Sequence, residues 1–386
     1  MKRVPPTMRL LALLGAASLA LTACGGDGGE AGGEIKLAFI GAQTGPNAQL
    51  GINISNGVEL AIEQYNATNP DKKVVLTKYD TKGEPSVAPG QADKLIEDEP
   101  VAIIGPAFSG ESKAVAPKFE EAQIPNISPS ATSTALAANG WKYWHRIITN
   151  DDSQGAEDAK AIVSQLKAKK IFLVDDNEEY SIGLAGKFLE ALKAEGITPG
   201  SDKINPDDTD YSSTINKIKA ADPEVVFFAG YYAAGGKLLK QMRDGGVDAL
   251  FFSDDGALDQ GLIDTAGAKQ AEGSIISCAC QSVNPTADNP KVQEFIDAYK
   301  KKFNVDQGTY SAEGYDATNV FLDAIKAGND TTEKINEYLK TVDVQGVSKP
   351  IKFEANGEIA DKSIFYFQVK DGKLEFLGDA TKIPTS

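Results

Sequence analysis

The sequence predicts an α/β protein of two lobes, each built on a mainly parallel sheet with helices on both faces. Three observations lead to this prediction. Short apolar runs of strand length alternate with amphipathic helical segments along most of the chain, which is the pattern of βαβ units. At 386 residues the chain exceeds the ~250–300 residues at which a single hydrophobic core stops growing. Its composition, 41% hydrophobic and 24% charged, is typical of a folded protein.

The first alternating series occupies residues 35–148. Residues 35–40 form an apolar run that is broken by Gly41, and residues 57–66 carry apolar side chains at helical spacing. Further strands are expected at 74–79, 101–104, 125–128 and 143–148, and further helices at 86–98, 110–122 and from Thr132. This alternation indicates a first parallel sheet, because parallel strands need a crossover between them.

A second series of the same kind follows. Its strands are expected at 171–174, 224–229, 250–253 and 274–280, and its helices at 153–168, 181–195, 211–220, 234–243 and 259–265. The rhythm then changes, with successive helices at 290–303, 313–327 and 332–341 and paired strands at 351–353, 364–369 and 374–377. The second series therefore predicts a second sheet.

The first 23 residues have the features of a signal peptide. A basic segment precedes an apolar run at 10–21 that is about half the length a membrane-spanning helix requires. The run leads into Leu-Thr-Ala before Cys24, which resembles the bacterial lipobox, and we prefer this interpretation to a plain secretory signal. Residues 24–33 are Gly-rich, and we expect them to act as a flexible tether. We therefore expect an exported protein that is anchored in the cell membrane through diacylglyceryl Cys24 and faces the extracytoplasmic side.

Charge and composition exclude several classes of function. The 39 basic and 55 acidic residues give a net charge of −16, and loss of residues 1–23 would remove three basic residues, leaving −19. Without a basic stripe, nucleic acid is a poor partner. His145 is the only histidine, and no nucleophile elbow, zincin motif or Walker A motif is present. We therefore expect a protein that is not an enzyme and binds neither a cofactor nor a metal.

Cys278 and Cys280 are the cysteines that follow Cys24. In an extended strand their Cα atoms would lie about 6.6 Å apart, close to the ~6.8 Å upper limit for a disulfide. We favour two small buried strand residues over a strained bridge.

Polar residues follow the strands at the edge where an open parallel sheet binds its ligand. In the first series they are hydroxyls and Gly-rich turns, at 41–46, 105–110 and 128–132. In the second series they are carboxylates and phenols, at 175–180, 230–232 and 254–256. Hydroxyls at helix N-termini bind anions, and carboxylates beside tyrosines suit a cation. The sequence therefore predicts a zwitterion bound between the lobes.

An ordered set of motifs spans residues 34–380: Gly-x-x-Thr-Gly-Pro at 41–46, Tyr-Asp at 79–80, Ile-Gly-Pro-x-x-Ser-Gly at 104–110, Pro-Asn-Ile-Ser-Pro-Ser-Ala-Thr at 125–132 and Asp-Ser-Gln-Gly at 152–155. Together with the lipobox, this order resembles the type 1 periplasmic solute-binding proteins, in particular the leucine/isoleucine/valine-binding subgroup of ABC importers. The resemblance implies two Rossmann-like, three-layer lobes joined by three hinge crossovers. Lobe 1 would comprise 34–150 with 281–363, and lobe 2 would comprise 151–280 with 364–386.

The ligand-binding residues that the resemblance implies are Ser109, Ser130, Ala131, Thr132, Tyr180, Tyr231, Asp255 and, in the side-chain pocket, Leu50. The first four would bind a ligand carboxylate. Thr132, a carbonyl near Ser130 and Asp255 would hold an ammonium group, and the two tyrosines would close over the ligand. Leu50 stands where the family often has an aromatic residue, and Asp255 where it commonly has Glu. We therefore expect a monomer that delivers an amino acid, branched-chain or small aliphatic, to ABC permease subunits. The alternatives are a ligand-sensing receptor, or a binder of an aromatic acid or urea.

Overall fold

A computed structural model describes residues 34–280 and 289–384. The expected signal peptide, Cys24 with its tether, and the expected crossover at 281 lie outside the described residues. Elements of the first series are β1 (Ile35–Gly41), α1 (Ala48–Thr68), β2 (Val74–Asp80), α2 (Ala88–Glu97), β3 (Ala102–Ile104), α3 (Ser109–Ala122), β4 (Asn126–Ser128), α4 (Thr134–Ala137) and β5 (Trp144–Arg146).

The second series begins with α5 (Asp151–Lys160) and ends with β10 (Ile275–Cys278). Between them lie β6 (Ile171–Asp175), α6 (Glu179–Ala194), β7 (Gly200–Lys203), α7 (Ser212–Ala221), β8 (Val225–Ala229), α8 (Tyr232–Asp244), β9 (Leu250–Ser253), α9 (Gln260–Ala266) and α10 (Ala268–Ala271). The remaining elements are α11 (Pro290–Phe303), α12 (Ser311–Lys326), α13 (Thr332–Leu339), β11 (Asp343–Gln345), β12 (Pro350–Lys352), β13 (Phe365–Lys370) and β14 (Lys373–Gly378).

These strands form two main sheets, which confirms the predicted α/β class with two lobes. In the described part of the chain, the first sheet is five-stranded, in the order β2-β1-β3-β4-β5, and all its strands are parallel. The second is seven-stranded there, in the order β14-β13-β10-β9-β8-β6-β7. Its strands β6 to β10 are parallel, while β13 and β14 add antiparallel at one edge. We call the part built on the first sheet the first lobe and the part built on the second sheet the second lobe.

Helix α1 begins at Ala48, well before the residue near 57 that apolar spacing indicated. Two glycines in this helix, Gly51 and Gly57, are needed for close packing. A Cβ at Gly51 would lie 1.7 Å from the carbonyl oxygen of Ala42, and one at Gly57 would lie 2.2 Å from that of Ser311. Through the second approach α1 packs directly on α12, so the helices that follow β10 return to the first lobe.

Two short strands were missed because they carry no apolar alternation. The residues of β7 and β11 are almost all exposed, so no buried face marks them in the sequence. The expected helix at 153–168 is α5 followed by a π-helical turn at Ala161–Gln165. Among the described residues, no helix is both long and apolar enough to cross a bilayer.

The two cysteines at the end of β10 form a disulfide, so the favoured interpretation of two unbridged cysteines is wrong. Strand β10 ends at Cys278, and the chain bends before Cys280. The bend brings the Cα atoms to 4.9 Å, well inside the range of ~4.4–6.8 Å that a disulfide spans. The estimate from extended geometry failed because it assumed that the strand continued to 280.

Candidate functional site

Loops from the two lobes meet at the carboxyl ends of the parallel strands. The Phe108 ring, after β3, lies 4.7 Å from the Tyr231 ring, after β8. Helices α3 and α6 are joined by an ion pair between Lys113 and Glu179 at 2.9 Å. At the start of α1, the backbone N–H of Gln49 donates to the Tyr232 hydroxyl at 3.3 Å. The lobes are therefore in contact across the cleft.

The first lobe contributes a group of buried hydroxyls. Ser109 opens α3, and its Oγ accepts a hydrogen bond from the backbone N–H of Ser133 at 3.2 Å. Ser130 donates through Oγ to the carbonyl oxygen of Ala107. The side chain of Thr132 is fully buried, and its Oγ1 has no hydrogen-bond partner among the described residues. Ser109 and Thr132 thus keep donor capacity for a ligand anion at the N-terminus of a helix.

Arg146 holds the loop that contains Thr132 through hydrogen bonds to the loop backbone. Its side chain is fully buried at the end of β5, and Nη1 donates to the carbonyl oxygens of Ala131 at 2.8 Å and Ser133 at 3.0 Å. Its Nε donates to Glu358 Oε2 at 2.9 Å, and Nη2 also pairs with this carboxylate. The guanidinium therefore fixes the backbone on both sides of Thr132. Sequence reasoning missed Arg146, because one arginine in a short strand gives no sign of what it contacts.

The second lobe contributes Asp255, which lies in a short 3-10 turn after β9. Its Oδ1 accepts from the Tyr180 hydroxyl and its Oδ2 from the Tyr310 hydroxyl, each at 2.5 Å. Burial raises the pKa of Asp255, and the two phenol hydrogen bonds oppose that rise. The Tyr180 ring lies 5.3 Å from the Tyr231 ring. A carboxylate is thus held among aromatic side chains.

Tyr310 is a site residue that sequence reasoning did not identify. It precedes α12 and has a left-handed backbone with φ 67°, a conformation that costs a non-glycine residue on the order of 1–3 kcal/mol. The packing of α12 on α1 holds it in place. Since Tyr310 does not follow a strand, the rule that located the other residues could not find it.

Asp151 is a further site residue that sequence reasoning missed, a carboxylate at the first helical position of α5. Its backbone N–H donates to the carbonyl oxygen of Thr132 at 3.0 Å. Burial raises the pKa of the Asp151 carboxyl to about 7; the charge of Asp255 adds to this, while Thr132 and Arg146 oppose it. The Thr132 hydroxyl is near enough to act on the charge, although neither group makes a hydrogen bond of standard geometry. The same rule of polar residues after strands could have found Asp151, which follows β5.

The structure thus brings together the predicted residues Ser109, Ser130, Ala131, Thr132, Tyr180, Tyr231 and Asp255 in one buried region. Leu50 lies in the first turn of α1, fully buried in the main hydrophobic cluster. A cleft of about 720 Å³ lies alongside, lined by Phe108, Tyr180 and Tyr231 among others but not by Thr132 or Asp255. The aromatic side chains therefore separate the polar centre from this outer cleft.

Potential metal ligands do not cluster in the part of the chain that the structure describes. Among the described residues, no group of three or more His, Cys, Asp or Glu is placed to hold a metal ion. His145 lies in β5, where its ring packs edge-on against Phe353 at 5.0 Å, and burial lowers its pKa to about 4. The buried imidazole is therefore uncharged at neutral pH.

A family model described as periplasmic binding protein matches residues 34–373. The chain belongs to the periplasmic binding protein family. This confirms the family that the sequence motifs resembled, and the relatives support the leucine/isoleucine/valine-binding subgroup.

Two relatives and one solved structure illustrate the family. The Leu/Ile/Val-binding protein of Citrobacter freundii is 31% identical over 332 residues, covering 84% of this chain and 88% of that protein. The leucine-, isoleucine-, valine-, threonine- and alanine-binding protein of Pseudomonas aeruginosa is 29% identical and covers 90% and 91%. The branched-chain amino acid transporter substrate binding protein of Streptococcus pneumoniae, solved with isoleucine, has a TM-score of 0.82 at 27% identity and covers 90% and 100%.

Proposed function

We propose that the protein binds an L-amino acid, branched-chain or small aliphatic, between its lobes and delivers it to the permease subunits of an ABC importer. The observation that carries the proposal is that two groups of side chains lie in one buried region, one suited to bind an anion and the other suited to bind a cation. We call them the anion pole and the cation pole. The hydroxyls of Ser109 and Thr132 at the start of α3 and in the loop after β4 form the anion pole. The carboxylate of Asp255, with Tyr180 and Tyr310, forms the cation pole.

A zwitterion fits this arrangement better than a simple acid. A buried carboxylate disfavours an anion that brings no positive charge of its own, because like charges repel strongly where water is excluded. Benzoate or another aromatic acid would satisfy the hydroxyl pole but leave Asp255 facing a second negative charge. Urea would leave the hydroxyl pole without an anion. An α-amino acid satisfies both poles.

We further propose that binding closes the two lobes about three crossovers, with lobe 1 at 34–150 and 281–363 and lobe 2 at 151–280 and 364–386. In support, the chain leaves the first sheet after β5, returns to it as α12 packs on α1, and rejoins the second sheet at β13. The ion pair between Lys113 and Glu179 joins α3 to α6 across the cleft. A ligand that contacts both lobes stabilises the closed state by its differential affinity.

The proposal includes attachment of the mature protein, as a monomer, to the extracytoplasmic face of the cell membrane through Cys24. The lipobox and the Gly-rich residues 24–33 support it. Expression of the full chain and of Cys24→Ser in a bacterial host tests it: the wild type should fractionate with membranes and the variant should be soluble. Equal partitioning of the two would contradict lipid anchoring.

The ligand proposal is tested by thermal unfolding of the mature chain with each of the twenty amino acids, benzoate and urea. A ligand at 100 times its Kd stabilises the folded state by about 2.7 kcal/mol, which raises the unfolding temperature measurably. We expect stabilisation by aliphatic amino acids and none by benzoate or urea. If no amino acid raises the unfolding temperature, the proposal is wrong. If an amino acid binds but no permease genes lie next to the gene for this protein, the result favours the alternative of a ligand-sensing receptor.

A further inference from the structure

We infer that Asp151 binds the ligand's α-ammonium group together with Asp255, so that the cation pole has two carboxylates rather than one. The inference rests on the proposed amino-acid binding and names the residue that confers selectivity for the amino group. It rests on a difference between two buried carboxylates: Asp255 has hydrogen-bond partners among the described residues, whereas Asp151 has none of standard geometry.

The position of Asp151 places its carboxylate at the lobe interface. The residue begins α5, and its backbone N–H is tied to the carbonyl oxygen of Thr132 at 3.0 Å. On the opposite side lies Gly183 of α6. A Cβ there would lie 3.1 Å from Asp151 Oδ2 and 3.8 Å from Ser133 Oγ. The absence of a side chain at 183 lets α6, the helix that carries Tyr180, pass close to the carboxylate.

The hydrogen bonds of the two carboxylates differ completely. Each oxygen of Asp255 accepts a hydrogen bond from a tyrosine hydroxyl. Asp151 is fully buried, and neither of its oxygens has a hydrogen-bond partner among residues 34–280 and 289–384. The nearby acceptors Thr132 Oγ1 and Gln154 Oε1 are also without partners there. Buried polar atoms are almost always paired in native proteins, so this group of acceptors is suited to donors from a bound ligand.

An ammonium group supplies what is missing. It has three N–H donors and no acceptor, and it carries the charge that a buried carboxylate needs. Arg146 is the nearby cation, but its Nε, Nη1 and Nη2 are engaged by Glu358 and by the carbonyl oxygens of Ala131 and Ser133. The ligand's ammonium would therefore supply Asp151 with both N–H donors and a counter-charge, and it could also donate to the Thr132 hydroxyl oxygen.

Because charged groups surround Asp151, we expect the protonation of its carboxyl to affect the affinity for the ligand. Asp151 faces Asp255 from the second lobe, Asp152 along α5, Arg146 from β5, the Thr132 hydroxyl from the loop after β4 and the Tyr180 phenol from α6. Burial, reinforced by the charge of Asp255, raises the pKa of the Asp151 carboxyl to about 7, so it is partly protonated near neutral pH. An ammonium beside it favours the ionised form. Affinity for an amino acid should therefore rise with pH from about 5.5 to 8, as the carboxyl loses its proton.

The test compares D151N with D152N by calorimetry against L-leucine and its hydroxy analogue, L-2-hydroxy-4-methylpentanoate. The analogue keeps the carboxylate and side chain but has no cation. D151N should weaken L-leucine binding by about ten- to a hundredfold, the range for a hydrogen bond to a charged group, and should not weaken binding of the hydroxy acid. Asp152 is the matched control, since its side chain is 47% exposed and paired with Lys187. D152N should change the L-leucine affinity by about twofold or less.

The pH dependence gives a second readout that needs no variant. For the wild type, the preference for L-leucine over the hydroxy acid should grow between pH 5.5 and 8, and in D151N this growth should be reduced. A preference that does not change with pH overturns the inference, even if D151N fails to fold. Equal loss of both ligands in D151N assigns Asp151 a structural role and also overturns it. If the wild type binds none of the twenty amino acids, the proposed function itself fails.

Discussion

Replacement of Glu358 by Gln tests the buried ion pair that supports the ligand loop. The side chains of Arg146 and Glu358 are 0% and 4% exposed, and the guanidinium contacts both carboxylate oxygens. In Glu358→Gln one oxygen becomes an NH₂ group that faces an N–H donor, and the arginine charge loses its counter-charge. Removing one partner of a buried pair costs about 3–5 kcal/mol, because the remaining charge stays buried without compensation. We expect a loss of stability of that size.

The assay is equilibrium unfolding in urea followed by tryptophan fluorescence. Trp144 is suited to it, since its ring centre lies 5.0 Å from Arg146 Cζ and its side chain is buried. Glu354→Gln is the matched control: this carboxylate is 46% exposed and lies 3.5 Å from Lys362. Its replacement should cost about 1 kcal/mol or less. If Glu358→Gln loses no more stability than Glu354→Gln, the reasoning about the buried pair is refuted.

Three further predictions concern the site and its pH dependence. Asp255→Asn removes the charge that Tyr180 and Tyr310 support, and calorimetry should show an amino-acid affinity lowered by about ten- to a hundredfold. Ser109→Ala should lower the affinity less, by about tenfold or less, because the other donors of the anion pole remain. Burial raises the pKa of Glu111 to about 7, above the ~4.3 of an unfolded chain, so its stabilising contribution is complete below about pH 4.3 and is lost as pH rises through 7. Glu111→Gln should therefore gain stability relative to the wild type between pH 5 and pH 8, as measured by urea unfolding.

Each of these predictions has an outcome that contradicts it. Unchanged affinity in Asp255→Asn would remove this residue from the cation pole, and the exposed Asp264→Asn controls for loss of charge nearby. A larger loss in Ser109→Ala than in Asp255→Asn would show that the anion pole dominates binding. A difference in stability between Glu111→Gln and the wild type that is constant with pH would show that Glu111 keeps an ordinary pKa in the folded protein.

Much of the site could be predicted from the sequence because parallel strands end at one edge of a sheet. Thr132, Tyr231 and Asp255 all follow strands closely, so the order of strands and helices was enough to place them together. Sequence reasoning did not identify Tyr310, because this residue precedes a helix and reaches the site only through the packing of α12 on α1. It did not identify Arg146 either, because the partner of this residue, Glu358, is distant in sequence.

The sequence by itself determines the alternation of strands and helices, the acidic charge and the set of polar residues at strand ends, since each of these depends on residue types at short spacing. Tertiary structure alone decides which polar atoms have partners. Asp255 and Asp151 are both acidic residues next to the ends of strands, yet one accepts hydrogen bonds from two tyrosines and the other has no partner of standard geometry among the described residues. That difference depends on distances between side chains from separate parts of the chain. Such distances are set by packing of the lobes, and no local pattern encodes them.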